Sequence, residues 1–402
     1  MVKIPDFEVE QWMDTYENTP GILNIAETCA SSISLSQLSS LHRTVRDGGI
    51  APNLLDHSVR MTYGAIRGSD ELRRNIAALY GNDVDPITPG NVIVTQGAIA
   101  ANHLVFYALI GPGDHVICVH PTYQQLYTVP ATLGADVSLW EQRPEDKYMP
   151  DVDELEKLIK PNTKMIVINN PNNPTGTTIP TEILQSILAI ARRNDLFILS
   201  DEAYSPLFHS LPANVPPPVS IITLAPNYSK TIVTSTMSKA WALAGIRLGW
   251  IATRDVQILA RLSAARDYTT ISVSQLDDQV ARFALSEHVR SELGLRNARL
   301  ARGNLELLTE FVEEYSAICS WVAPTAGTTA FLRFVNNGNR GQPVDDEEFC
   351  KDVLEKTGVL MVPGSKCFGE RFRGYVRVGY VCERELLREA LRRLGDFLSQ
   401  LL

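Results

Sequence analysis

The stretch Lys230–Thr253, KTIVTSTMSKAWALAGIRLGWIAT, decides how the rest of the chain is read. An apolar, β-branched run leads into Ser238-Lys239, passes Ala244-Gly245, and re-enters an apolar run through Arg247. A lone Ser-Lys pair is ordinarily a solvated loop. Here hydroxyls (Thr236, Ser238) precede the lysine and an arginine follows it, all between two strand-like runs. That pattern suits a Schiff-base lysine with an anionic phosphate held beside it. The reading stands only if the chain supplies the other parts of such a site.

Working outward, the pattern alternates. NVIVTQG, HVICVHPTY, KMIVINN and LFILSDEAY are short apolar runs, and helical segments such as AIAANHLVFYALI and TEILQSILAIARRN lie between them. Continuous apolar strands alternating with helices predict a sheet buried on both faces, mostly parallel and covered by helices. Ligands of such sheets sit beyond the carboxyl ends of the strands. Gly97, Tyr123, Asn173, Asp201 and Lys239 all fall at those ends. Upstream, Ser69 reads as the N-cap of a helix whose buried stripe is Leu72, Ile76 and Leu79, with Gly81 ending it.

After about residue 275 the character changes to one long helical region, then TAFLRF, a helix near DDEEFCKDVLEKTG, the strands VLMVPG and YVRVGYV, and a closing helix. In that helix Leu387, Leu391, Leu394, Leu398 and Leu401 mark one buried face. The expected fold is α/β, with a large domain over 46–285 built on a mostly parallel sheet covered by helices. A smaller α+β domain is expected from 1–45 together with 286–402.

Each polar strand-end residue has a structural and a chemical reading. Asp201 follows LFILS directly, as a turn residue or as a buried charge in need of a cation. Beside an imine-forming lysine it could keep the pyridine nitrogen of pyridoxal phosphate protonated. Tyr204 and Asn173 could reach the phenolic oxygen of that ring, although NNPNNPTG is in any case a run of turns. Gly97-Ala98-Ile99 sits where backbone N–H groups at a helix start can hold a phosphate. Tyr123 could stack on a flat ring or pack in the core. Arg377, inside an apolar strand, needs an anionic partner, and a substrate carboxylate suits its fork. Arg333 reads equally well as a structural ion pair.

Together these pieces resemble the fold-type I pyridoxal-phosphate enzymes, specifically the class I/II aminotransferase family. The likeness runs from about Tyr63 to Arg377, through YGAIRGSDELRRNIA, VTQGA, GPGDHV, PTY, NNPNNPTG, SDEAY, SKAWALAGIRLGW, VPGSKCFG and YVRVGY. The resemblance implies a pyridoxal-phosphate-dependent aminotransferase that converts an α-amino acid to its keto acid. Lys239 would carry the aldimine and move the Cα proton through a quinonoid intermediate, with Asp201 at the pyridinium. Asn173 and Tyr204 would meet the phenolate, and Tyr123 would stack on the ring. Thr236, Ser238, Arg247 and the turn Gly97-Ala98-Ile99 would hold the phosphate. Arg377 would hold the substrate carboxylate. Tyr63 matches the tyrosine that reaches the partner subunit's phosphate, implying a homodimer with shared sites.

The chain also departs from the family pattern. Ile99 replaces a common Ser or Thr. The usual glycine-rich N-terminal loop is here Ala26-Glu27-Thr28-Cys29-Ala30-Ser31, which places Glu27 and Thr28 where substrate side chains lie. Glu27 favours a cationic or hydrogen-bond-donating substrate, and YTTISVSQLDD offers no second arginine for a dicarboxylic one. The same cofactor also supports lyases, β/γ-replacement enzymes and amino-acid cyclases such as capreomycidine synthase. The atypical loop keeps that alternative open, because residues at the reacting centre decide which bond is activated.

Composition sets outer bounds. The 402 residues carry a formal net charge of −9, which argues against a nucleic-acid partner. No apolar run is long enough for a membrane span. The opening MVKIPDFEVEQWMD has neither signal- nor transit-peptide character. Six scattered cysteines without C-x-x-C spacing suggest reduced thiols and a cytoplasmic setting, with no metal site expected.

Overall fold

A computed structural model describes residues 4–42, 53–81, 85–336 and 341–400. A seven-stranded sheet forms its centre. In chain order the strands are β1 (Val92–Thr95), β2 (His115–His120), β3 (Asp136–Glu141), β4 (Thr163–Asn169), β5 (Phe197–Asp201), β6 (Thr231–Thr236) and β7 (Gly249–Thr253). Across the sheet they run β1-β7-β6-β5-β4-β2-β3. Only β7 is antiparallel to its neighbours. The mostly parallel sheet expected from the apolar runs is therefore present.

Its strands are apolar on both sides because both faces are covered. Val94, Ile168, Ile198, Val233 and Trp250 join one core, and Ile93, Val167, Leu199, Ile232 and Ile251 the other. The helix Thr181–Arg193 packs on the first face through Leu184, Ile187 and Leu188. The helices Gly97–Leu109 and Val256–Arg266 pack on the second.

Strand β3 was not among the expected strands. It lies at the sheet edge, where only Trp140 is fully buried, so its residues lack the continuous apolar signal of the inner strands. Ser69 caps the helix Asp70–Ala77 as predicted, its Oγ accepting from Leu72 N–H at 3.3 Å. That helix stops at Ala77, short of Gly81. The single long helical region expected after 275 is two helices, Gln275–Ala284 and Glu287–Glu314.

The C-terminal part builds a separate antiparallel sheet in the order Val362–Pro363, Tyr375–Gly379, Thr329–Phe334, Cys319–Trp321. VLMVPG is split, because Val359–Leu360 pairs instead with Leu23–Asn24. Trp12 Nε1–H donates to the Met361 carbonyl at 2.8 Å, fixing the N-terminal helix Glu8–Tyr16 to the same region. The closing helix Arg384–Ser399 buries Leu387, Leu391, Leu394 and Leu398, while Leu401 lies outside the described residues. So does the expected domain boundary at 45/46. No described helix is long and apolar enough to cross a membrane.

Candidate active site

The carboxyl ends of β1, β4, β5 and β6 lie on one edge of the sheet. Gly249, the first residue of antiparallel β7, sits beside both Thr95 and Thr236 at that edge. A cavity of about 630 Å³ opens there, lined by residues from the loops after these strands, from Ala26–Cys29, from Arg377 and from the N-terminal helix.

Lys239 follows β6 and reaches into this cavity. Its Nζ donates to Thr28 Oγ1 at 2.7 Å, lies 3.4 Å from Cys29 Sγ, and faces Glu27 Oε1 at 3.5 Å. The N-terminal loop comes this close because Ala30 N–H bonds the Lys239 carbonyl and Ser31 N–H bonds that of Val381. Gly379 is required beneath it, since a Cβ there would overlap the Glu27 carbonyl.

Burial alone would raise the Glu27 carboxyl, but the Lys239 ammonium, the Cys29 thiol, the Thr28 N–H and Arg377 hold it at about 2. Burial would lower Lys239, yet Cys29, Glu27 and Tyr204 keep it above the ordinary lysine value. Burial pushes the Cys29 thiol to about 11 against the pull of Lys239. The lysine thus faces anionic and polar groups in this arrangement, not the cationic neighbours that would free its proton. Discharging it requires a change in that surround.

Asp201 ends β5 and is 3% exposed. Its Oδ2 accepts from Asn102 Nδ2 at 2.8 Å and its Oδ1 from Ala203 N–H at 3.0 Å. Burial raises its pKa in spite of these bonds and of Lys239. Asn102 in turn accepts from Thr234 Oγ1 at 2.6 Å, so the amide is oriented. The sequence reading missed Asn102; its signal is a polar residue on the sheet-facing side of the apolar helix GAIAANHLVFYAL. Asn169 was also missed. Its Nδ2 donates to the Asp201 carbonyl at 3.0 Å and its Oδ1 accepts from Asn173 N–H at 2.8 Å, tying the NNPNNPTG turn to β5.

Tyr204 is buried beside the cavity, and burial raises its pKa. Tyr123 lines the cavity, its ring 5.0 Å from that of Phe7, and its hydroxyl donates to Glu10 Oε1 at 2.9 Å. Arg377, 3% exposed, donates to Asn173 Oδ1 at 3.3 Å and to the Ala26 carbonyl at 3.0 Å. Its buried Nε has no hydrogen-bond partner among the described residues.

At the far end of the β6–β7 connection, Ser238 N–H donates to Thr236 Oγ1 at 3.1 Å and Arg247 Nη1 approaches Ser238 Oγ at 3.4 Å. Ala98 and Ile99 complete this corner at the start of the helix Gly97–Leu109. Gly97 has φ +77°, and a Cβ on it would stand 3.2 Å from Arg247 Nη2. Gly249, a further residue not singled out from the sequence, is more restricted: its Cβ would lie 2.6 Å from the Ser235 carbonyl and 2.7 Å from Ala98 N. A glycine on each side keeps the backbone close enough to cradle an anion. Every expected site residue except Gly97 and Tyr63 lines the cavity. Tyr63 is on the surface, 86% exposed.

The family model for aminotransferase class I and II matches residues 35–394. The chain belongs to that family. This aminotransferase-family chain is 31% identical to a capreomycidine synthase of Streptomyces vinaceus, over 84% of its own length and 80% of that protein. It is also 31% identical to an aspartate aminotransferase of Pyrococcus horikoshii, over 83% and 82%. A crystal structure of a PLP-dependent aminotransferase from Streptococcus suis superposes with a TM-score of 0.88 at 38% identity, covering 100% of this chain and 99% of that one.

The family implies pyridoxal phosphate, and the residues present fit it. A buried carboxylate with no ion pair among the described residues (Asp201), an anion cradle (Ala98, Ile99, Thr236, Ser238, Arg247) and an amine (Lys239) surround one cavity. Their chemistry matches, in turn, a pyridinium, a phosphate and an aldehyde.

Proposed function

We propose that this chain is a pyridoxal-phosphate-dependent aminotransferase acting on an α-amino acid, with its catalytic amine on Lys239. The observation that carries the reading is the convergence of Lys239, Asp201, Asn173 and Arg377 on one cavity from four separate parts of the chain. When bound, pyridoxal phosphate supplies an electron sink for the substrate Cα.

The residues then divide the work. Thr236, Ser238, Arg247 and the amides of Ala98 and Ile99 would hold the phosphate. Asp201, held by Asn102, would favour a proton on the ring nitrogen. Asn173 and Tyr204 would meet the phenolic oxygen, and Tyr123 would lie against the ring. Arg377 holds the substrate carboxylate and Lys239 moves the proton at Cα. Glu27 and Thr28 border the substrate, and Cys29 and Glu27 favour the charged form of Lys239.

A homodimer with shared sites is part of this proposal. Tyr63, Met61, Ile66 and Tyr268 are exposed large side chains, and Tyr63 would complete the partner's phosphate site. The division into 46–285 and 1–45 with 286–402, and a cytoplasmic location suited to six free thiols, belong to the same reading.

A second reading, a lyase or amino-acid cyclase on the same cofactor, is favoured by the Glu27–Cys29 loop. It puts a carboxylate, a hydroxyl and a thiol within 3.5 Å of Lys239 Nζ, groups able to move a second proton. The likeness to a capreomycidine synthase supports it too. Incubating the loaded protein with amino acids and keto-acid acceptors decides. Accumulation of the pyridoxamine form supports transamination, and a cyclic product or released ammonia without it supports the second reading. A purified protein with no visible imine band, unchanged in Lys239→Ala, overturns both.

A further inference from the structure

We infer that Gln125 is a positioning residue for the phosphate corner: it holds the first turn of the helix Gly97–Leu109 against the Asn102–Asp201 pair. This deepens the proposed function and rests on the reading that the corner at Ala98, Ile99 and Arg247 takes the cofactor phosphate.

Gln125 opens the helix Gln125–Thr132, just after Tyr123. It is 5% exposed, behind the residues that line the cavity. Its Nε2 donates to the Ile99 carbonyl at 2.6 Å, and its Oε1 accepts from Asn102 Nδ2 at 3.3 Å. Asn102 Nδ2 also donates to Asp201 Oδ2 at 2.8 Å, and Asn102 Oδ1 accepts from Thr234 Oγ1 at 2.6 Å.

A buried glutamine is ordinarily no more than a core amide with its bonds satisfied. Two features set this one apart. Its orientation is dictated from the site. In its charged form Asp201 only accepts, so Asn102 turns Nδ2 toward it and Oδ1 toward the Thr234 hydroxyl. The second hydrogen on Nδ2 then calls for an acceptor, which puts Gln125 Oε1 next to Asn102 and Nε2 next to Ile99. One line of hydrogen bonds, with one polarity, joins the Asp201 carboxylate to the Ile99 carbonyl.

The grip also falls on a turn whose backbone has to be placed. The carbonyls of a helix's first turn are bonded within the helix, while its N–H groups are free for an anion. Thr95 Oγ1 donates to the Gly97 carbonyl at 3.0 Å and Gln125 to that of Ile99, so two side chains hold the turn from its carbonyl side. Ile99 brings no hydroxyl to the corner. A phosphate there would rely on the amides of Ala98 and Ile99 together with Thr236, Ser238 and Arg247, and the aim of those amides depends on where the turn is held.

The test compares the dissociation constants of the full-length protein for pyridoxal phosphate and for pyridoxal, followed by visible absorbance. The two share a ring and differ in the phosphate, so the ratio of their constants isolates this corner from any change in the folded fraction. Gln125→Met keeps the length of the side chain and removes both bonds. It should lose about three- to tenfold of the wild-type preference for the phosphorylated form. Gln125→Glu adds a pH signature. Protonated, the introduced carboxyl donates to Ile99 and accepts from Asn102 as the glutamine does; ionised, it faces the Ile99 carbonyl with no hydrogen to give. Burial and the Asp201 carboxylate across Asn102 raise its pKa. Its preference should match the wild type at about pH 6 and fall below it at about pH 9, a reversal that a packing role would not produce.

A ratio unchanged in Gln125→Met, with or without equal losses for both compounds, overturns the inference. So does a Gln125→Glu protein whose preference relative to the wild type is the same at both pH values. If Gln125→Met does not fold, the second variant decides alone. A wild type that gives no imine band with pyridoxal phosphate overturns the proposed function and this inference with it, so the two failures are told apart.

Discussion

Glu27 Oε1 stands 3.5 Å from Lys239 Nζ although the residues are far apart in the chain. The pair holds the carboxyl at about 2 and the amine above its ordinary value. An amine must lose its proton before it can attack an aldehyde, so Glu27 slows cofactor loading near neutral pH. Glu27→Gln is expected to shift the pH profile of loading to lower pH by about one unit, followed by visible absorbance. An unchanged profile would show that the carboxylate does not govern the lysine. Folding contributes a weaker signal. A depressed carboxyl stabilises the fold above its ordinary range and loses that contribution as pH falls through about 2. With 49% of the Glu27 side chain exposed, water screens most of it.

The Asn102 amide opposes the burial that raises the Asp201 pKa and so favours its charged form. It supplies one of two bonds to a carboxylate whose pKa burial already raises. Asn102→Ala should raise that pKa further and reduce kcat/KM by about ten- to a hundredfold, as expected for a lost bond to a buried charge. Cofactor titration at pH 6 and 8 tests the cause: the variant should recover toward the wild type at the higher pH. Equal deficits at both would indicate a packing defect instead.

Gly249 and Gly294 make a contrasting pair. A Cβ on Gly249 has no room between Ser235 and Ala98, so Gly249→Ala should cost about 1–3 kcal/mol and weaken cofactor binding together. A Cβ on Gly294 meets nothing within 4 Å inside the helix Glu287–Glu314. Gly294→Ala should stabilise by about 0.5–1 kcal/mol and leave the site alone. Thermal melts with and without cofactor give both readings.

Arg377→Lys tests the carboxylate fork. Lysine keeps the charge but cannot donate to Asn173, Ala26 and a ligand from one plane. Steady-state kinetics should show a KM for the amino acid raised by at least tenfold, on the order of one charge-assisted bond, with cofactor absorbance unchanged. A variant with unaltered KM would remove Arg377 from substrate binding.

The strand-end residues were legible because inner strands advertise themselves. Asp201 and Asn173 follow short apolar, β-branched runs bounded by turn residues, the pattern of a fully buried strand. Edge strand Asp136–Glu141 was not, because half-exposed residues carry no such run. Asn102 acts on the Asp201 carboxylate and Asn169 on the backbone of Asp201 and Asn173, and a partner of a partner leaves no local pattern. The seat of the helix Glu8–Tyr16 over the cavity was hidden for a different reason. It depends on Trp12 meeting Met361 and Glu10 meeting Tyr123, contacts between segments distant in sequence that no spacing encodes.

His209 provides a pH signature outside the chemistry. It is buried, with Nε2 2.7 Å from the Tyr380 hydroxyl and Nδ1 2.9 Å from Ser210 Oγ. Burial, helped by the Arg302 charge, lowers its pKa to about 4 from 6.5. Between those values the unfolded chain binds a proton that the folded chain refuses, so stability falls as pH drops from about 6.5 to about 4. The full effect is on the order of 3 kcal/mol. His209→Gln removes the titrating group while keeping a side chain able to meet Tyr380. Urea melts across this window should give a shallower pH slope for the variant, even where its stability at pH 8 is lower. Parallel slopes for the two proteins would mean that His209 is protonated in the folded chain.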